Sequence, residues 1–246
     1  MSDLPDVRYT VRESQKARRP SIRISFRGEV EVVVPRRYDH RRIPGLLSEK
    51  RDWIEKTVRR IRDERGLIGD HVPDILPAQL ELPALGERWA VDYENGPHNG
   101  VRLIERPPEH EGETGHVVLQ GRIDDRELCR RALRKWVMLR AKERLVPWLR
   151  EVSEEAGLPF ASVTVRGPST RWASCSFQKA ISLSCKLSFL NHELVRYVFL
   201  HELVHTVHPD HSRRFWTALS MHDPECRRHD REVRRAWKAV PMWMDG

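Results

Sequence analysis

Residues 196–216 read RYVFLHELVHTVHPDHSRRFW, and the centre of this stretch is HELVH at 201–205. In an α-helix, residues four positions apart lie on the same face, so the imidazoles of His201 and His205 can share one metal ion. Glu202 follows the first of these histidines and is placed to activate a metal-bound water. The pattern therefore predicts a helix that carries two metal ligands and a catalytic carboxylate.

The residues around this motif favour a buried helix. Asn191 is suited to the N-cap position, and Glu193 suits the first turn. Burying two histidines without a partner is energetically unfavourable, which favours a metal site over a purely structural role. The positions that make the segment apolar nearly all round are Leu194, Val195, Val198, Phe199, Leu200, Leu203, Val204 and Val207.

A third protein ligand is needed for zinc, and His211 is the favoured candidate. His208 stands too far from His201 to share a metal with it, about 10 Å along a continuing helix. Pro209 disfavours a helical conformation at His208, so the chain should fold back there and bring His211 to the metal. Three protein ligands and a water would form a catalytic site that holds one Zn²⁺ per chain. The alternatives for the third ligand are His208, Asp210 and Glu225.

The composition is that of a globular protein with a basic surface. The chain has 246 residues, of which 39% are hydrophobic and 33% charged, and its formal net charge is +8. This charge supports two interpretations equally. The protein binds an anionic partner, such as nucleic acid or a nucleotide, or it has a solvated basic surface without such a partner. The basic residues are scattered, so no nucleic-acid-binding motif stands out.

Cysteine usage and the terminal sequence predict a cytoplasmic location. The four cysteines form no C-x-x-C pair in this long chain, so a disulfide framework is not expected. The sequence MSDLPDVRYT at the N-terminus lacks the apolar core of a signal peptide, and no apolar run approaches the length of a membrane span. We therefore expect no membrane partner. The sequence gives no indication of the oligomeric state.

The hydrophobic periodicities predict an α+β fold. The N-terminal part, 1–66, is expected to form an antiparallel strand meander followed by a helix. Residues 67–123 are expected to be a connector with short strands. The remaining part, 124–246, is expected to be the metal-binding catalytic region, which begins with a long helix that Pro147 should kink or split. We expect these parts to pack as one compact unit.

Three motifs occur in order along the second half of the chain. They are RWASCS at 171–176, YVFLHELVH at 197–205 and DHSRRFW at 210–216. Together they resemble the YgjP-like metallopeptidase domain family, a relative of the SprT and M48 zincins. The sequence departs from the family pattern at Ala173, where the family has glycine, and at Asp210, where it has asparagine. A glycine used for a positive φ would make Ala173 strained.

This resemblance implies a zincin-like metallopeptidase domain with a buried HExxH helix. It implies that His201, His205 and His211 bind Zn²⁺ and that Glu202 is the general base. In zincins an edge strand beside the metal helix aligns the peptide by β-augmentation, and the alternating stretch Ile181–Leu187 is the candidate strand here.

The polar segment Thr170–Ser176 precedes the metal helix and admits two interpretations. In the first, it forms one wall of the cleft, where Arg171 and Ser174 face the substrate. In the second, Trp172 packs in the core and Arg171 pairs with a carboxylate. Cys175 is not expected to be a nucleophile, because the metal-bound water already has that role and no base stands beside the thiol in sequence.

Three functions are compatible with these features, and a zinc-dependent peptidase acting on polypeptides is the leading hypothesis. The first alternative is a metal-dependent hydrolase of a nucleotide or another phosphate ester. Its support is the basic charge and the arginines near the metal motif, Arg171, Arg213 and Arg214, although the chain has no Gly-rich phosphate loop. The second alternative is a nucleic-acid-associated module with a structural metal, which a closed site of four ligands would favour.

Overall fold

The structure is a computed structural model that describes residues 9–15, 17–24, 28–65, 76–97, 99–110, 112–167 and 171–244. The expected α+β class is confirmed, since helices and three sheets occur in this described part. The chain divides into two compact units, Met1–Pro73 and Asp74–Gly246. The finer division into 1–66, 67–123 and 124–246 stays a prediction, and its first boundary lies outside the described residues.

The first unit contains a sheet of three strands, β1 (Tyr9–Ser14), β2 (Ser21–Ile24) and β3 (Val30–Pro35), in the order β1-β3-β2. β2 is antiparallel to β3, but β1 is parallel to it, so the expectation of an antiparallel meander is wrong for β1. The physical reason is that the alternation of apolar and polar residues determines which face of a strand is buried. It does not determine which other strand pairs with it or in which direction. The strand with the most buried residues, β3, takes the central position.

Two helices follow in the first unit, α1 (Ile43–Glu49) and α2 (Arg51–Arg65). Their apolar faces and the central strand supply one small hydrophobic core. Its buried members are Val30, Val32, Val34, Ile43, Leu47 and Ile54.

The second unit begins with a sheet of β4 (Gln79–Leu82), β5 (Glu87–Asn95), β6 (Val101–Arg106) and β7 (Thr114–Gly121), in the order β4-β5-β7-β6. The long helix α3 (Arg126–Ala156) follows and contains Pro147 without being split by it. Trp136 of α3 meets Trp89 of β5 edge to face, with ring centroids 5.0 Å apart. This contact joins the helix to the sheet in the core.

A second small sheet lies in the same unit and contains β8 (Ser162–Arg166), β9 (Ala173–Cys175) and β10 (Ala180–Ser184), in the order β8-β10-β9. β10 pairs with a strand on each side, so the expectation that Ile181–Leu187 provides an edge strand is wrong. The edge strand that contacts the following helix is β9. Residues 185–189 form a 3₁₀ helix rather than a continuation of β10.

Three helices complete the unit: α4 (His192–Val204), α5 (Arg213–His222) and α6 (Cys226–Arg235). The side chain of Asn191 accepts a hydrogen bond from the Leu194 N–H, which confirms the predicted N-cap of α4. Helix α4 packs against α3, α5, α6 and β9, and most of its residues are buried. None of the helices in the described ranges is long and apolar enough to cross a bilayer.

Candidate metal centre

The side chains of His201, His205 and His211 converge on one point. The Nε2 atom of His201 lies 3.2 Å from that of His205 and 3.0 Å from that of His211, and the remaining pair is 3.2 Å apart. Nitrogens bound to zinc at about 2.0–2.1 Å in a tetrahedral site stand about 3.3–3.4 Å apart. Among the described residues, His201, His205 and His211 are the only group of three or more histidine, cysteine or acidic side chains with ligand atoms close enough to hold one metal ion.

The chain reverses direction directly after α4, which brings His211 back to the helix. α4 ends at Val204, and the N–H of His208 donates to the Val204 carbonyl at 2.9 Å. The helix therefore stops before Pro209, as predicted. The Asp210 carboxylate then accepts a hydrogen bond from the Ser212 N–H at 3.2 Å and supports the turn into α5.

Phe215 of α5 packs against all three imidazoles. Its ring centroid lies 4.9 Å from that of His201, 4.6 Å from that of His205 and 4.8 Å from that of His211. The phenyl ring is fully buried. It therefore forms an apolar floor that holds the three rings in one arrangement.

Hydrogen bonds on the far side of two imidazoles direct their Nε2 lone pairs to the shared point. The Nδ1 atom of His205 lies 3.0 Å from the carbonyl oxygen of His208, and this contact requires a proton on Nδ1. The Nδ1 atom of His201 lies 3.2 Å from the hydroxyl of Tyr197. With neutral rings in this orientation, the Nε2 lone pairs face one another, and a bound cation relieves their repulsion.

The environment of His201 keeps its ring neutral. Burial, together with the neighbouring His205 and His211, lowers the pKa of His201 to about 3. Burial is also the main cause of the lowered pKa of His205. Because a metal binds the neutral imidazole, these residues fit a divalent cation such as Zn²⁺.

The carboxyl group of Glu202 is buried, with 7% of the residue exposed. Burial raises the pKa of Glu202 to about 7, while a hydrogen bond from the Cys175 backbone and the charge of Arg171 act in the opposite direction. A carboxyl group with a pKa near neutrality can both accept and return a proton.

A cavity of about 440 Å³ opens beside these groups and is lined by His201, Glu202 and His211. One wall comes from the segment at the start of β9, with Arg171, Trp172 and Ala173. Another wall comes from α6, with Asp230, Val233 and Arg234. The cavity is therefore large enough for side chains of a substrate next to the three histidines.

The two residues expected to face a substrate lie in different positions. Arg171 is exposed, lines the cavity and forms no ion pair with any other residue that the structure describes. Ser174 pairs with Ser182 in the sheet and is not part of the cavity wall. Thr170, the first residue of the segment considered from the sequence, lies outside the described residues.

Trp172 packs in the core, as the second interpretation of this segment states. Its ring stacks on Trp237 with centroids 3.7 Å apart, and its Nε1–H donates to the Val233 carbonyl at 3.0 Å. Ala173 lies in an extended strand, and the one non-glycine residue with a positive φ among the described residues is Lys179. The substitution of alanine for the family glycine therefore introduces no strain here.

One edge of β9 pairs with no other strand in the part of the chain that the structure describes. The Ser184 N–H donates to the Trp172 carbonyl, and the Ser176 N–H donates to the Ala180 carbonyl. Since backbone groups alternate in direction along a strand, the N–H and C=O groups of Ala173 and Cys175 point away from β10. The N–H of Cys175 reaches the carboxylate of Glu202.

The sequence-based reasoning assigned no role to two residues of the site, Tyr197 and Asp230. Tyr197 precedes His201 by one helical turn, and this spacing was a usable signal. Asp230 lies on α6, and its carboxylate is 3.3 Å from the Tyr197 hydroxyl. No local pattern indicates this contact, because it depends on how α6 packs against α4.

The chain is similar to two solved structures of metallopeptidase zymogens, abylysin of Pyrococcus abyssi and jannalysin of Methanocaldococcus jannaschii. For abylysin, the identity is 24%, the TM-score is 0.32, and the match covers 35% of this chain and 87% of the other. For jannalysin, the identity is 21%, the TM-score is 0.33, and the match covers 36% and 92%. No curated protein matches the chain.

The family comparison extends over most of the chain and agrees with the motifs at 171–176, 197–205 and 210–216. The model of the YgjP-like metallopeptidase domain matches residues 18–236. The chain therefore belongs to the YgjP-like metallopeptidase domain family, and this membership supports a metal-dependent peptidase.

Proposed function

We propose that the protein is a zinc-dependent peptidase in which His201, His205 and His211 bind the metal and Glu202 is the general base. The observation that carries this proposal is the convergence of three Nε2 atoms, 3.0–3.2 Å apart, beside a buried carboxyl group. A Zn²⁺ ion bound by these three residues would polarise the carbonyl of a scissile peptide bond and lower the pKa of a bound water molecule. His201, Glu202 and His205 belong to the HExxH segment at the end of α4, and His211 lies in the turn before α5.

Glu202 carries out the proton transfers. In the metal-free site, burial raises the pKa of Glu202 to about 7. A bound cation would lower this pKa and favour the carboxylate form that accepts a proton. The carboxylate accepts a proton from the attacking water and passes it to the nitrogen of the departing amine. The hydrogen bond from the Cys175 backbone favours the charged form of the carboxyl group, which is the form that accepts a proton.

The edge of β9 away from β10 binds the substrate in an extended conformation. The outward N–H and C=O groups of Ala173 are available to pair with the main chain of a peptide. Arg171 lies at the adjacent cavity wall, where its guanidinium attracts a carboxylate of the substrate. Ser174 pairs with β10 and lies outside the cavity wall, so no substrate contact is assigned to it.

A metal-dependent hydrolase of phosphate esters is the second candidate, because two guanidinium groups, those of Arg171 and Arg234, line the cavity. The acidic groups of Glu202 and Asp230 line the same cavity and disfavour a polyanion. A structural metal site is less well supported, since three rather than four candidate ligands meet in the described residues.

The experiment uses full-length protein from which metal is removed by a chelator and then replaced by one equivalent of Zn²⁺. The protein is assayed against an unfolded polypeptide and against nucleoside triphosphates, each with and without DNA. We expect zinc-dependent cleavage of the polypeptide and no phosphate release. Phosphate release without peptide cleavage would replace this proposal by the phosphate-ester alternative.

A further inference from the structure

The hydroxyl of Tyr197 lies between a candidate metal ligand and a carboxylate. Its oxygen is 3.2 Å from the Nδ1 atom of His201 and 3.3 Å from Oδ1 of Asp230. Tyr197 is 3% exposed, so bulk water does not compete freely for the hydroxyl. The distance to His201 is at the long end of the usual range for a hydrogen bond between nitrogen and oxygen, and the distance to Asp230 is slightly longer than a usual O–H···O hydrogen bond.

The chemistry of the three groups determines the direction of the two hydrogen bonds. The Nε2 atom of His201 faces two other imidazoles, so the ring proton belongs on Nδ1 and is donated to the Tyr197 oxygen. The hydroxyl proton is then directed to Asp230, because a carboxylate only accepts. The result is a chain of donors that begins at His201 and ends on a negative charge.

Asp230 is itself held in place. Arg234, one turn further along α6, donates to both carboxylate oxygens, at 3.0 Å from Nε and 3.3 Å from the terminal nitrogen. A second contact links α6 to the residues that precede it. The Nδ1 atom of His229, in the helix, lies 2.7 Å from the carboxylate of Asp223, which stands before the first residue of the helix. Both of those side chains are nearly buried. The Arg234 ion pair and the His229–Asp223 contact both favour the arrangement in which the Asp230 carboxylate faces Tyr197.

We propose that Tyr197 and Asp230 are positioning residues for His201. They fix the ring orientation and the tautomer of its imidazole, and the negative charge of Asp230 increases the basicity of Nε2 through the hydroxyl. His205 obtains the same support from the His208 carbonyl, a main-chain group that no substitution removes. The hydrogen bonds that orient His201 come from two side chains, so substitutions can remove them. This inference rests on the proposed metal site.

The test measures the zinc dissociation constant by competition with a chromophoric chelator for Tyr197→Phe, Asp230→Asn and the double variant. Loss of outer-shell partners weakens metal binding about 10–100-fold. We expect a loss of this size for each single variant. The double variant should bind no more weakly than the weaker single variant, since Asp230 acts on His201 only through the Tyr197 hydroxyl: Tyr197→Phe removes that hydroxyl, and Asp230→Asn removes the negative charge.

A matched control separates positioning from a structural role. Glu232 lies on the same helix, pairs with Arg228 at 3.1 Å and does not line the cavity beside His201. Glu232→Gln should leave the zinc dissociation constant unchanged, and all the variants should melt at the wild-type temperature in the metal-free state. Wild-type zinc affinity in Tyr197→Phe and Asp230→Asn, or strictly additive losses in the double variant, would overturn the inference.

Failure of this inference is distinguishable from failure of the proposed function. His201→Ala and His211→Ala are measured in the same competition assay. If they weaken zinc binding while the variants of Tyr197 and Asp230 bind normally, the positioning roles alone are wrong. If His201→Ala and His211→Ala bind zinc normally, the metal site is wrong, and the inference fails with it.

Discussion

The main-chain N–H of Cys175 donates a hydrogen bond to the carboxylate of Glu202. This contact joins the edge strand β9 to helix α4 at the candidate catalytic carboxyl group. The part of Cys175 that serves the site is therefore its backbone, and the thiol is not required for the contact.

Replacing Cys175 by serine should leave turnover nearly unchanged. Burial and the nearby Glu202 raise the pKa of the Cys175 thiol, so the group stays protonated and is a poor nucleophile. The serine variant keeps the N–H that binds Glu202. The measurement is the rate of polypeptide cleavage by the zinc-loaded variant. An inactive Cys175→Ser protein that is folded and zinc-loaded would require a thiol-dependent mechanism instead.

Replacing His211 by alanine should lower the zinc content measured by elemental analysis. One of three converging Nε2 atoms is lost in this variant. His208→Ala is the matched control, because His208 contributes its main-chain carbonyl to His205 and alanine retains that group. Full zinc retention in His211→Ala together with loss in His208→Ala would reverse the assignment.

Replacing Arg171 by alanine should reduce cleavage of peptides that carry a carboxylate near the scissile bond. A charged hydrogen bond contributes about 1.5–3 kcal/mol, which corresponds to a loss of about 10–150-fold in kcat/KM. Zinc affinity should change little, because Arg171 is not among the grouped ligands. Arg213→Ala is the control, since this exposed arginine does not line the cavity. Equal losses in both variants would show that only the overall positive charge matters.

Replacing Trp172 by alanine should lower the free energy of unfolding by about 3–5 kcal/mol, as expected for a large buried aromatic side chain. The indole stacks on Trp237 and donates to the Val233 carbonyl, and both contacts are lost. Phe177 is 98% exposed, and Phe177→Ala should change the same free energy by less than about 0.5 kcal/mol. Denaturant titration of both variants checks this difference, and equal values would place Trp172 outside the core.

The features that could be predicted from the sequence are local ones. The N-cap at Asn191 and the end of α4 before Pro209 each depend on a few neighbouring residues. The family was also recognisable, because its motifs lie within about one fifth of the chain. The convergence of His201 and His211 followed from the same turn, since only ten positions separate them.

The features that were missed depend on partners far away in sequence. Alternation in Ile181–Leu187 indicated a strand but could not show that β10 is central and β9 lies at the edge. Likewise, the alternation of apolar and polar residues in the N-terminal part, 1–66, could not show that β1 pairs in parallel with β3. Asp230 stands 33 positions from Tyr197, and only the packing of α6 on α4 brings their side chains together.

The central claim is that Glu202 is the general base of a zinc peptidase, and Glu202→Gln tests it most directly. Glutamine keeps the shape of the side chain and can still accept the hydrogen bond from Cys175, but it cannot take up the proton of water. The measurement is the rate of cleavage of an unfolded polypeptide by protein that contains one zinc per chain. The account predicts unchanged zinc content and melting temperature with a rate lowered by about 10²–10⁴-fold. Wild-type turnover in the zinc-loaded Glu202→Gln protein would contradict it.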